Sequence, residues 1–274
     1  MCAPGCVEYV RSKLSRRGFF KAAGAVAATA TAAAWAPGEA EAHAFPRFSR
    51  VMDLTHTHSP EFPTFFGTPG VTLKRLKSLK ADGFNMFEWT VLEHSGTHMD
   101  APIHFAEKGD GPDTLPVGQL VVPLAVVDVS RKAASNPDYQ VTPADLRAWE
   151  RRYGRLPRGS CVAMNSGWAK RLGSDRFIGK DAQGGLHFPG FHPEATDWLM
   201  KERRVRGMAV DTLSLDYGAS KDFKTHYAWL PSGRWGLECV ANLDRVPPRG
   251  ATLVVGAPKI RGATGGPARL LALI

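Results

Sequence analysis

Eleven residues constrain this chain more than any other stretch: His94-Ser95-Gly96-Thr97-His98-Met99-Asp100-Ala101-Pro102-Ile103-His104. Three of the nine histidines and a carboxylate fall inside them, where random scatter would place roughly 0.4 histidines. Gly96 and Pro102 interrupt the segment, so His94 and His98 are not read as an i, i+4 pair on a helix. The run before it, Phe84 to Leu92, is β-rich with partial alternation. The expected picture is a strand that delivers its end into a turning loop whose side chains converge. Neutral imidazoles and an ionised carboxylate are the ligands that a borderline divalent cation prefers. The competing reading is a polar loop with surface histidines.

A chain of 274 residues can bury a full core, and one large domain fits it better than two. Its formal charge is +9, of which residues 1–44 hold +2. The remaining basic residues are dispersed, with local groups at Arg151-Arg152 and Arg203-Arg204 near the ends of expected helices. No recognition helix, zinc-finger spacing or aromatic-plus-basic motif accompanies them, so the reading excludes nucleic acid as a partner and favours a small-molecule substrate.

The beginning of the chain reads differently. Ser15-Arg16-Arg17-Gly18-Phe19-Phe20-Lys21 precedes an Ala-rich run from Ala22 to Trp35, and Ala42-His43-Ala44 offers a small-residue cleavage site. Charge, mild apolar stretch and small residues in that order describe an export signal, and the paired arginines point to the twin-arginine route. The expected division is therefore 1–44 as export signal and 45–274 as a single domain, periplasmic or secreted. The apolar run is too short and mild for stable membrane insertion. Cys2 and Cys6 would leave with the signal, while Cys161 and Cys239 remain in two apparent strands, as buried thiols or as a pair.

Along the chain, Arg50–His56 reads as a first strand, followed by a Pro-punctuated loop with Phe62, Phe65 and Phe66. Phenylalanines in a loop either pack on the core or line a pocket. Val71 to Lys80 reads as an exposed strand or hairpin. Strands are expected at Pro123–Val129, Ser160–Asn165, Met208–Thr212, Thr252–Val255 and Leu270–Leu273. Helices are expected after Thr142-Pro143 and from Pro193 to Arg203. His187 and His192 bracket a loop and read as structural or surface groups, with a substrate-facing role as the alternative. This order describes an α/β or α+β chain. Elsewhere, Glu238 stands in the otherwise uncharged run Trp235–Leu243 and needs either a metal or a buried cation beside it.

The pattern His94-x-Gly96-Thr97-His98-x-Asp100-x-Pro102-x-His104 resembles the hallmark of the cyclase family of metal-dependent hydrolases, which includes bacterial kynurenine formamidase and isatin hydrolase. The resemblance continues in Asp53-Leu54-Thr55-His56, Asp211-Thr212-Leu213-Ser214, His226 with Glu238 twelve residues later, and the tail from Pro258 to Pro267. It implies a swivelling β/β/α-type α/β domain with a mixed, barrel-like sheet and a few flanking helices, usually dimeric. It implies His94, His98 and Asp100 as one ligand set, with Asp100 bridging where two metals bind, and His226 and Glu238 as ligands of the second. His104 resembles the catalytic acid–base. One or two divalent ions, Zn or Mn, would be the cofactor. Phe65 occupies the aromatic loop where family formamidases tend to carry tryptophan, and this implies a reshaped substrate pocket.

A bound divalent ion brings the pKa of its water to about 7, and His104 would move the proton to a leaving nitrogen. Hydrolysis of a small amide, lactam or related acyl bond is the expected reaction. Two alternatives remain at this point: a cyclase, dehydratase or isomerase acting on an enolisable substrate, and an exported metal- or ligand-binding protein without turnover.

Overall fold

The apolar runs become strands of one nine-stranded sheet in the computed structural model, which describes residues 48–274. In chain order these are β1 Val51–Asp53, β2 His98–Asp100, β3 Val121–Asp128, β4 Cys161–Asn165 and β5 Gly207–Val210. They continue with β6 Trp235–Glu238, β7 Ala251–Gly256, β8 Gly265–Pro267 and β9 Arg269–Leu273. Across the sheet the order is β1-β9-β7-β3-β4-β5-β6-β2-β8. The centre, β3 through β6, is parallel, and both flanks are antiparallel.

Burial on both faces explains why the central strands read as unbroken apolar runs. Leu124 and Val126 of β3, with Cys161 and Ala163 of β4, face a core that holds Met99, Trp235, Leu237 and Leu253. Their neighbours Ala125, Val127, Val162 and Met164 face a second core, closed by Leu146, Trp149 and Leu199 from the helices on that side. The helix Pro143–Tyr153 starts on a capping box, Thr142 with Asp145, and has proline in its first turn. The helix Pro193–Trp198 runs on into a π-helical turn, Leu199–Arg203, so the expected single helix changes register before it ends. Just beyond β1, Thr55 bridges to Val240, just beyond β6 on the far half of the sheet, and Ala241 N donates to Leu54 O at 2.9 Å. That closure curls the sheet into a half-barrel, the mixed barrel-like architecture expected of an α/β chain of this kind.

Before the sheet's second strand, Val71–Lys77 and Met86–Val91 pair as a hairpin joined through the short helix Leu79–Asp82. Every residue of its second strand is exposed. The reading of 94–104 as one turning loop needs correction here, because the middle of that segment is strand β2. Its three residues pair with β6 on one side and β8 on the other, contacts more than 130 residues away that no local pattern announces. The paired arginines and the rest of the segment expected to be an export signal lie outside the described residues. Among the described residues, no helix is long and apolar enough to cross a membrane.

Candidate metal centre and active site

Strand periodicity sets the geometry of the site. His98 and Asp100 stand two apart on β2 and share one face, while Met99 between them points into the core. In the antiparallel register with β6, Glu238 lies directly opposite His98 and Gly236 opposite Asp100. Cross-strand partners place their Cβ atoms about 5 Å apart, so the register alone brings His98 and Glu238 together. Gly236 leaves the room that Asp100 needs, since a side chain there would press on Leu215 and reach the Asp100 carboxylate.

Three other segments complete the cluster. His94 comes from the loop ahead of β2, His104 from the 3-10 turn Pro102–Phe105, and His226 from the helix Lys224–Trp229. His98 Nε2 lies 3.4 Å from Asp100 Oδ1 and 3.4 Å from Glu238 Oε2. His226 Nε2 lies 3.5 Å from Asp100 Oδ2 and 3.2 Å from Glu238 Oε1. His94 Nδ1 stands 2.6 Å from Asp100 Oδ1, and the rings of His94 and His104 stack at 3.7 Å. Two overlapping groups of potential ligand atoms result, His94–Asp100–His104 and His98–Asp100–Glu238, with Asp100 common to both. All six chemically active side chains inferred from the sequence thus converge, and His104 stands beside the ligands it was read apart from.

The electrostatics suit a cation. His98 Nε2 and Asp100 Oδ2 are buried without a hydrogen-bond partner, and an orphaned buried polar atom is costly. A divalent ion is the group that satisfies imidazole nitrogen and carboxylate oxygen together, so the residues present fit a metal. Burial opposes charge on His98, but the Asp100 and Glu238 carboxylates beside it hold its pKa up at about 10. His226 is likewise raised against its burial by Asp100, Asp216 and Glu238. Burial would raise Asp100, yet the surrounding imidazoles hold it well below the usual carboxylate range. His104 is different: burial pushes it down to about 4, which leaves it a neutral proton acceptor.

Outer partners fix the rings. His98 Nδ1 donates to Gly96 O at 2.9 Å, so its Nε2 points inward at the two carboxylates and is the nitrogen that a metal ion would take. Asp216 takes His226 Nδ1 at 2.6 Å and also accepts the backbone amides of Thr225 and His226. Asp216 carries only a slight signal in the sequence, a carboxylate shortly after the Asp211-Thr212-Leu213-Ser214 motif, and sequence reasoning does not single it out. Thr97 ties the segment down through its hydroxyl, which donates to Cys239 O and accepts from His56 N.

The cluster forms the floor of a cavity of about 290 Å³, whose walls are Pro63, Phe65, Phe66, Phe105, Leu213 and Phe223. The Phe65 ring faces that of Phe223 at 6.2 Å, so the aromatic loop does line the pocket. His187 and His192 lie elsewhere. The first bridges Asp138 and Asp181, and the second caps the helix Pro193–Trp198. Cys161 and Cys239 are both buried free thiols.

Known proteins share this chain's sequence and fold. The Cyclase family model matches residues 52–217. The isatin hydrolase of Roseibium aggregatum is 36% identical over 241 residues, covering 82% of this chain and 91% of that protein. The kynurenine formamidase of Salinibacter ruber is 27% identical over 221 residues, covering 80% of this chain and 95% of its own length. Among solved structures, isatin hydrolase A from Labrenzia aggregata bound to benzyl benzoate superposes with a TM-score of 0.77 at 34% identity, covering 82% of this chain and 93% of that one. The chain belongs to the cyclase family.

Proposed function

We propose that this cyclase-family chain is a metal-dependent hydrolase of a small amide, lactam or related acyl bond. The observation that carries the reading is the convergence of three imidazoles and two carboxylates, two of their atoms orphaned, on the floor of an aromatic-walled cavity. His94, His98 and Asp100 would hold one divalent ion, zinc or manganese. Asp100 would be shared with a second ion held by His226 and Glu238. Such a cation, when bound, supplies Lewis acidity to a carbonyl and to water.

The chain's own residues do the rest. Phe65, Phe105 and Phe223 offer flat apolar surfaces against which an aromatic substrate stacks with its carbonyl toward the floor. His104 takes a proton from the attacking water as oxygen bonds to the carbonyl carbon. It returns that proton to the nitrogen as the C–N bond breaks, leaving a carboxylic acid and an amine. The named hydrolase relatives, which act on such bonds, support the same chemistry.

The test is metal analysis of the purified protein, followed by hydrolysis assays with N-formyl aromatic amines and cyclic amides. Metal-dependent release of a carboxylic acid and an amine is expected. A fully metal-loaded protein that hydrolyses none of them would refute the reading.

Two further parts belong to the proposal. The protein works in the periplasm or outside the cell after twin-arginine export, checked by fractionating cells that carry the wild-type or Arg16→Lys/Arg17→Lys chain. It also works as a homodimer through the hairpin. Val71, Leu73, Phe87, Trp89 and Val91 share one face of that ribbon with Arg75, whose guanidinium lies over the Phe87 ring, while Thr72, Lys74, Glu88 and Thr90 share the other. Trp89 is 69% exposed and Leu73 49%. A two-stranded ribbon is marginal on its own, and a second copy covering the apolar face fits the dimers that the family resemblance implies.

A further inference from the structure

We infer that Thr264 and Glu93 form a two-residue relay that sets the tautomer of His94, and so decides which of its ring nitrogens can take a metal. The inference rests on the metal reading above and deepens it. Three imidazoles face the shared carboxylate Asp100, and each has a ring nitrogen engaged away from it. For His98 the partner is a backbone carbonyl, and for His226 it is the Asp216 carboxylate; either can only accept, so the hydrogen position is forced. For His94 the partner is a hydroxyl, Thr264 Oγ1, at 2.8 Å from Nε2. A hydroxyl can donate or accept, so by itself it leaves the tautomer open.

Glu93 removes the ambiguity. Its Oε2 accepts from Thr264 Oγ1 at 2.5 Å and from the Thr264 backbone amide at 3.1 Å. Thr264 has one hydroxyl hydrogen, and the carboxylate takes it. The oxygen therefore meets His94 only as an acceptor, and Nε2 carries a hydrogen. Nδ1 lies 2.6 Å from Asp100 Oδ1 and donates a hydrogen to it. A cation on the ring would displace that hydrogen to solvent, while Nε2 keeps the one that Thr264 accepts. Geometry holds the pieces in place: Thr264 N–H is fixed by Glu93, the neighbour of His94 in the chain, and Gly265 allows the close approach. A side chain at 265 would collide with Met99 O and with the His94 ring.

Glu93 and Thr264 are positioning residues, since neither reaches the cavity. Removing Glu93 frees the hydroxyl hydrogen to turn toward Nε2, which then accepts, so the one ring hydrogen stays on Nδ1 against Asp100 and competes with a cation there. The test uses the full chain and zinc. Zinc affinity is measured by competition with a chromophoric chelator, and the His94 tautomer is read from long-range proton–nitrogen NMR spectra of the zinc-loaded protein. Glu93→Ala and Thr264→Val should each weaken zinc binding about 10–100-fold. Glu93→Gln and Thr264→Ser, which keep the acceptor and the hydroxyl, should restore it. Wild-type spectra should place the His94 hydrogen on Nε2. Unchanged zinc affinity in Glu93→Ala, or a hydrogen on Nδ1 of zinc-loaded wild-type His94, would overturn the relay while leaving the metal reading intact. A parent chain that binds no zinc or manganese would instead remove the metal reading beneath it.

Discussion

Two antiparallel strand pairs in this molecule break the burial rule in opposite directions. The pair β2–β6 is buried throughout, yet it carries His98, Asp100 and Glu238. The hairpin Val71–Val91 is exposed along nearly its whole length, yet it carries Leu73, Phe87, Trp89 and Val91 on one face. Charged groups are almost never fully buried unless paired, and contiguous apolar surface is rarely left in water. In the function proposed above, a cation answers the inner pair and a second copy of the chain the outer one. Departures from the local rules are where function concentrates.

The comparison breaks most sharply at Asp100. Replacing it with alanine removes the carboxylate common to both ligand groups, and metal content measured by atomic emission should fall from stoichiometric to near zero, with turnover lost alongside. Full metal retention would end the bridging role. Next in size is His104→Ala, which should keep its metal but lose roughly 10²–10⁴-fold in kcat. Full turnover in that variant would mean another group moves the proton. On the outer pair, Trp89→Glu should raise the dimer dissociation constant by about 30-fold, the effect of losing a buried aromatic anchor. Sedimentation velocity reads it, and an unchanged assembly would show that the apolar face is not the contact.

The smallest effect sharpens the contrast with a histidine of ordinary surface kind. His187 has its pKa raised by hydrogen bonds to Asp138 and then Asp181, so folding favours its charged form. Its stabilisation is complete below about pH 6.5 and fades as pH rises through the raised value. The melting temperature of His187→Gln should therefore trail the wild type more at pH 6 than at pH 9. An equal gap at both would contradict the assignment.

Much of the inner pair was legible in the sequence, because ligand chemistry and spacing survive without knowledge of tertiary contacts. His94, His98, Asp100 and His104 stand within one stretch, and Glu238 is conspicuous in an apolar run. What stayed hidden was the company these residues keep. Thr264 lies 170 positions from His94, and a threonine among Gly and Ala residues carries no local mark. Strand β2 was invisible for a related reason. Three residues between Gly96 and Pro102 have no propensity to speak of, and their extended form comes from β6 and β8. The parallel strands β3 and β4 were read correctly because burial on both faces leaves an unbroken apolar run. The hairpin was read as exposed, but its two-faced character needed the register Leu73↔Trp89.

The most direct test of the central claim is anomalous diffraction from crystals of the chain loaded with manganese or zinc. A peak roughly 2.0–2.2 Å from Asp100 oxygen and from imidazole nitrogen of the cluster is the predicted result. Active crystals whose only anomalous peaks lie away from Asp100 would contradict it.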